Sequence, residues 1–123
     1  MLLDCLAVGV GGFVGSVLRY LAGLAAPSSS GFPVHTLLIN VAGSFALALI
    51  AGLVLQGLVS NERLSLLLRV GLCGGFTTFS TFSFETMSLM GEGQMLMACA
   101  YAALSVALCV AAAFAGTMLA RML

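Results

Sequence analysis

The chain has 123 residues, is 62% hydrophobic, and carries four acidic and four basic side chains for a formal net charge of zero. Every base is an arginine, so the absence of lysine excludes a P-loop and a Schiff-base site, and the balanced charge excludes a polybasic nucleic-acid binder. So few charges could not cover the surface of a soluble domain, and the composition predicts an all-α integral membrane protein.

Leu2 to Ala25 is the first apolar run, roughly 35 Å as a helix and long enough for a hydrocarbon core of about 30 Å. Asp4 near its start and Arg19 near its end do not fit a cleaved signal peptide, so a retained span is expected. Gly11 and Gly15, with Gly12 and Ser16 one step on, give the small-xxx-small pattern of closely packed membrane helices. Gly9, Gly11 and Gly15 miss the spacing of a dinucleotide turn. Arg19 is readable in two ways, as a side chain snorkelling to the interface or as a fixed positive charge in a water-filled vestibule.

Residues 27–33 combine two prolines, a glycine and three serines, and predict a loop. His35 follows as a cap or surface residue. A second span is expected over 36–59, with Thr36, Asn40, Gly43 and Ser44 on one helical stripe and Leu38, Val41 and Leu49 on the opposite, hydrocarbon face. Asn40 is the expensive residue, since an amide near mid-membrane needs a partner helix or a polar cavity.

Ser60-Asn61-Glu62-Arg63 reads as a tight polar connection to a third span over 64–90. An unbroken helix of that length would run roughly 40 Å, too long for a straight crossing. Gly74-Gly75 near its middle predicts a break, and the freed backbone groups must be buried, line a cavity or hold an ion. Gly91-Glu92-Gly93 closes this span, and a fourth is expected over 94–119, with Tyr101, Ser105 and Cys109 on one line and Ala112 and Gly116 as a packing edge. The four cysteines lack metal-ligand spacing and read as small buried hydrophobes. The architecture is one transmembrane domain over 1–123 with both termini on one side. Arg63, Arg69 and Arg121 lie toward that side and Arg19 toward the other, a bias weak enough to permit insertion in either direction.

The chemistry is concentrated between Gly71 and Glu85. Phe79 and Phe82 lie i, i+3 with Ser83 beside them, and Thr78, Thr81 and Glu85 form a neighbouring polar stripe. Spaced phenylalanines are ordinarily packing, but hydroxyls interleaved among them are a poor lipid face. Aromatic rings carry a positive edge, and hydroxyls and amides offer donors that can replace an anion's water.

Gly74-Gly75-Phe76-Thr77-Thr78-Phe79-Ser80-Thr81-Phe82 resembles the signature of the Fluc (CrcB-like) fluoride channels. So do Gly12-Phe13-Val14-Gly15-Ser16-Val17-Leu18-Arg19-Tyr20 and Thr36-Leu37-Leu38-Ile39-Asn40-Val41-Ala42-Gly43-Ser44. The resemblance implies an antiparallel, dual-topology homodimer with two pores in the inner membrane of a prokaryote, passively exporting fluoride and so relieving its toxicity. It implies Phe79 and Phe82 as an aromatic box, Asn40 as the pore amide, and Ser80 and Thr81 in a polar track completed by Tyr101 and Ser105. Arg19 would sit in the vestibule, and Glu85 falls on the acid that follows the aromatic pair. It also implies a structural sodium ion at the dimer centre, on the carbonyls of Gly74 and Thr77 from each subunit. Two positions depart from the pattern: His35 stands where the family usually has glycine, and Cys109 where a hydroxyl is common.

Two other classes compete. A small dual-topology multidrug exporter would need an acid in the middle of the first span, where this chain has only Asp4 at the edge. A scaffold subunit leaves the hydroxyl and phenylalanine lines unexplained. An enzyme is disfavoured because His35 has no evident nucleophile or metal partner.

Overall fold

A computed structural model describes residues 1–25 and 30–123; the first part of the loop expected at 27–33 lies outside the described residues. The described chain is helical throughout: α1 (Leu2–Ala25), α2 (Val34–Leu55), α3 (Glu62–Ser65), a π-helical stretch (Leu66–Cys73), α4 (Gly74–Phe76), α5 (Phe79–Gly91) and α6 (Met95–Met122). Taken together, these elements make four segments long and apolar enough to cross a membrane, the third running over Glu62–Gly91.

The ends of the spans are set by turn chemistry as much as by hydropathy. The second span starts two residues before the expected Thr36 and stops at Leu55, four short of Val59. Gly57 takes φ +77°, its amide donates to the Val54 carbonyl, and the amide of Leu58 reaches back to Leu53. This is a Schellman closure, which ends a helix even where the following residues are apolar. Gly93 repeats it at φ +78°, with Gly93 donating to Met90 and Gln94 to Leu89, so the fourth span starts at Met95 and continues to Met122. The third span starts inside the expected polar connection, where the Asn61 side chain caps α3 by accepting from the Leu64 amide at 3.0 Å.

Glycines fix which helices touch. α1 packs on the π-helical stretch and α4, and α2 packs on α6. A Cβ placed on Gly15 would strike the Leu72 carbonyl, one on Gly75 would lie 2.6 Å from the Gly12 carbonyl, and one on Gly71 2.7 Å from the Val8 carbonyl. Two small-xxx-small ridges, Gly11–Gly15 and Gly71–Gly75, therefore face each other, and the attraction is close backbone packing, since lipid supplies no hydrophobic drive between helices. On the other side of the bundle, Gly116 abuts the Phe45 carbonyl and Gly52 abuts Ala120. Outside the apolar region Asp4 receives Arg63 at 3.2 Å and the amino terminus at 2.7 Å, tying the start of α1 to α3.

The buried centre is small, with Leu37, Leu89, Ala98 and Tyr101 at its core and Phe32, Val41, Phe82 and Met97 packed on it. Val41, expected on a hydrocarbon face, is instead half-buried and packed against this core. Cys73 is buried and Cys109 half-buried, but Cys5 and Cys99 are exposed on the isolated chain, so only part of the cysteine set is interior.

The third span departs from simple helix in a way glycine propensity does not explain. Gly74 and Gly75 remain helical, and Gly75 is the residue pressed against Gly12. Helical geometry is left at Thr77 (φ −81°, ψ 159°) and Thr78 (φ −151°, ψ 114°), then resumes at Phe79. The irregularity expected near Gly74-Gly75 lies just past that pair: Gly75 packs against Gly12, Gly74 meets only its own span, and the two extended threonines follow.

Candidate functional site

The Thr77–Thr78 step is held from three directions. Asn40 of α2 uses both ends of its side-chain amide on Thr78: Nδ2 donates to the Thr78 carbonyl at 3.0 Å, and Oδ1 accepts from the Thr78 amide at 2.8 Å. The side chain thus occupies the place of a neighbouring peptide group and satisfies both backbone atoms of a residue only 8% exposed. Arg19 of α1 donates from Nη1 to the Thr77 carbonyl at 3.1 Å. Thr77 itself turns its amide and hydroxyl back to the Cys73 carbonyl, at 3.0 and 2.9 Å. Because the Thr78 amide goes to Asn40, the Gly74 carbonyl loses the partner it would have in a continuous helix.

The Thr78 hydroxyl caps α5. It accepts from the Thr81 amide at 3.2 Å, donates to the Thr81 hydroxyl at 3.0 Å and lies 3.3 Å from the Ser80 hydroxyl. Ser80 and Thr81 are exposed on the isolated chain. One helical turn on, Glu85 accepts from the Thr36 hydroxyl at 2.8 Å on one oxygen and from the Tyr101 hydroxyl at 2.6 Å on the other. His35 Nε2 stands 3.6 Å from the oxygen that Thr36 holds.

The aromatic residues form a chain across α5 and α6. Phe79 and Phe82 have centroids 5.5 Å apart, Phe82 and Tyr101 5.2 Å, and Tyr101 meets Phe32 edge-on at 5.4 Å. Phe82 is half-buried in the core, whereas Phe79 is 79% exposed on the isolated chain.

Thr78 borders two cavities. The first, about 270 Å³, is lined by Asn40, Ser44, Phe79, Phe82, Ser105 and Cys109 among others. Ser105 is buried, and its hydroxyl has no hydrogen-bond partner among the described residues. The second, about 340 Å³, is lined by Arg19, Tyr20, His35, Thr36 and Thr81. Thr78 lines both.

The sequence-predicted residues thus fall into separate roles. Asn40, Phe79, Phe82 and Ser105 converge on the first cavity, and Arg19 and Thr81 on the second. Thr77 sits at the step itself, and Gly74 in the helical turn before it. Tyr101 lines neither cavity; fully buried, it binds Glu85 from behind. Ser80 lies beside Thr78 on the exposed side. Sequence reading missed that Thr78 lines both cavities. It also missed the set that surrounds Glu85. The available signal was that Thr36 shares a stripe with Asn40 and Glu85 shares one with Thr78 and Thr81.

Four apolar spans define a multi-pass membrane protein. The profile of the family described as CrcB-like protein, Camphor Resistance (CrcB), matches residues 6–117. A protein named fluoride-specific ion channel FluC from Chlorobaculum tepidum is 48% identical over 120 residues, covering 97% of this chain and 95% of its own. Proteins of the same name from Ruminiclostridium cellulolyticum and Geobacter sulfurreducens are 41% and 44% identical, covering 98% and 96% of this chain and 94% and 97% of their own. The chain belongs to the CrcB-like family. Nothing here supports the exporter alternative: Asp4, the acid it would need in the first span, is at the rim and engaged by Arg63 and the amino terminus.

Proposed function

We propose that this chain forms a fluoride-selective channel that passively exports fluoride from the cytoplasm of a prokaryote, as an antiparallel, dual-topology homodimer with two pores. The observation that carries the reading is the buried Ser105 hydroxyl without a partner, lining one cavity with Phe79 and Phe82. A hydroxyl left unpaired in a membrane interior is costly unless something else takes its proton. Fluoride is a compact anion that surrenders its water only to strong, closely spaced donors, and a hydroxyl between ring edges offers such a place without fixing a full charge.

The pathway then runs from the Arg19 cavity past Thr78 into the phenylalanine cavity. Arg19 raises the local anion concentration at the entrance. The hydroxyls of Thr78, Ser80 and Thr81 hand the ion on, and the edges of Phe79 and Phe82 with Ser105 carry it through. Asn40 acts chiefly by holding Thr78 extended, with one Nδ2 hydrogen left for the ion. Glu85, held by Thr36 and Tyr101, orders the α2–α5–α6 contact beside the pathway.

Assembly in pairs is supported by what the isolated chain leaves bare. Ser80 and Thr81 are exposed on a chain whose surroundings are otherwise hydrocarbon, and lipid does not satisfy hydroxyls. The Gly74 and Thr77 carbonyls suit a structural sodium ion in donor chemistry, being hard neutral oxygens released from helical pairing. The Thr77 carbonyl spends one lone pair on Arg19 and keeps the other. One chain supplies two such oxygens, so a second copy would complete the site. Such an ion would fix the two steps against each other.

The test is efflux from proteoliposomes, comparing fluoride with chloride. Fluoride release with chloride retained is expected; equal rates, or no flux of either ion, would refute the proposal.

A further inference from the structure

A third cavity, about 430 Å³, lies at the terminal side of the bundle and shares no residue with the two that Thr78 borders. Its size falls within the range of small-ligand sites, roughly 300–1,000 Å³. Val54 and Val59 wall it from the end of the second span and the connection after it, and Glu62, Ser65, Leu66 and Arg69 from the start of the third. Those four stand at i, i+3, i+4 and i+7, the spacing of one helix face.

Glu62 and Arg69 carry opposite charges and line the same cavity, yet they do not pair. Among the described residues neither side chain has an ion-pair or hydrogen-bond partner, and both residues are exposed on the isolated chain. Arg63 between them differs, since its guanidinium is taken by Asp4 at 3.2 Å. Arg69 lies seven residues into the third span from Glu62, about 10 Å deeper as a helix. A guanidinium at that depth must reach up to the headgroup layer or meet an anion there. The cavity thus presents a cation on its membrane side and an anion on its water side, separated and both unmet.

We propose that this cavity holds the headgroup of one phosphatidylethanolamine molecule, with the phosphate on Arg69 and the ammonium on Glu62. The lipid carries its charges in that order from the acyl chains outward, so both are met by charge-assisted hydrogen bonds without reversing the molecule in the bilayer. Ser65, between the two charges, adds a hydroxyl donor for the phosphate. Val54, Val59 and Leu66 supply apolar wall for the glycerol end. Phosphatidylcholine fits less well because its ammonium has no N–H to give Glu62. Phosphatidylglycerol fits less well because it brings an anion and no cation to the carboxylate.

Native mass spectrometry of the purified full-length protein in detergent tests this, with phosphatidylethanolamine, phosphatidylcholine and phosphatidylglycerol of identical acyl chains added in turn. The wild type should retain phosphatidylethanolamine about fivefold better than either of the others. Arg69→Gln should lose retention of all three lipids, whereas Glu62→Gln should keep the phosphate contact and lose the preference, bringing phosphatidylcholine and phosphatidylglycerol level with phosphatidylethanolamine. Glycerophosphoethanolamine, the soluble headgroup alone, should not displace the lipid at equal concentration; displacement would show a site for a free phosphate ester and overturn the lipid assignment. Equal retention of the three lipids by the wild type, as when a second copy of the chain covers the cavity, would overturn the proposal. So would an unchanged order in both variants. Circular dichroism reports whether the variants fold, and the wild-type order decides the matter if either does not. Retention is read without any flux, so failure of the channel reading and failure of this site are separate results.

Discussion

Replacing Asn40 by leucine keeps the branched shape of the side chain, somewhat enlarged, and removes both bonds to Thr78, at 3.0 and 2.8 Å. The orphaned backbone groups belong to a residue only 8% exposed. Leaving a buried donor or acceptor unmade costs about 1–3 kcal/mol each, which sets an upper range near 2–6 kcal/mol. The chain has an escape: Thr78 can turn helical and return its amide to the Gly74 carbonyl, recovering one bond and displacing Phe79. Membrane-protein hydrogen bonds measured by paired substitutions average well under 1 kcal/mol because such escapes exist, so a net loss of about 1 kcal/mol for the two bonds is expected. Conduction should suffer more than stability, by at least about tenfold, since the Phe79 ring and the Thr78 hydroxyl would no longer share a cavity. The measurements are fluoride efflux at matched protein density and a denaturant titration followed by circular dichroism. Asn40→Asp is the control: its oxygen still accepts the Thr78 amide, so stability should lie between the two, while its charge repels the anion. Efflux within about twofold of the wild type together with an unchanged unfolding midpoint would show that the Asn40–Thr78 pair does not hold the pathway.

Further expectations follow from single contacts. Ser105→Ala should lower fluoride efflux about tenfold with stability unchanged or slightly higher, because the hydroxyl it removes has no partner in the folded chain; a stability loss without loss of flux would place Ser105 in packing. Phe79→Ile and Phe82→Ile should both stop efflux, but only the second should also cost about 1 kcal/mol, through its ring contact with Tyr101; thermal unfolding separates the two. Gly75→Ala should destabilise by about 2 kcal/mol, since its Cβ would lie 2.6 Å from the Gly12 carbonyl. Gly74→Ala should change stability by less than about 0.5 kcal/mol, its nearest neighbour being the Arg69 carbonyl at 4.0 Å; equal losses in the two variants would refute the facing-ridge account of α1 and the third span.

The spans were legible because hydropathy and length decide membrane crossings, and the glycine ridge on α1 because small residues at i, i+4 have few other uses there. The inward stripe of α2 was legible for the same kind of reason: Thr36 and Gly43 are buried, and Asn40 and Ser44 half-buried. What stayed hidden were features fixed by partners distant in sequence. Glycine propensity pointed to Gly74-Gly75 as the irregular site, but Asn40, 38 residues away, draws it to Thr78. Tyr101 sat on the same helical line as Ser105, and spacing alone could not tell that its hydroxyl belongs to Glu85 while that of Ser105 stays free. The end of the second span was hidden differently: Leu58 and Val59 are apolar enough to continue a helix, and only the left-handed Gly57 stops it.

Because Asn40 supplies what a neighbouring peptide would otherwise supply, the extended step at Thr77–Thr78 is a product of association between helices and not of membrane insertion. As the chain is synthesised, the second span enters the bilayer before the third and carries Asn40 without its partner. The third span can enter as one long helix, with the Thr78 amide paired inside it. Only when the two spans dock side by side does the Asn40 amide displace that internal pairing and open the step. The Thr78 amide should acquire its final hydrogen-exchange protection with docking of the second span, later than the helix on either side of it.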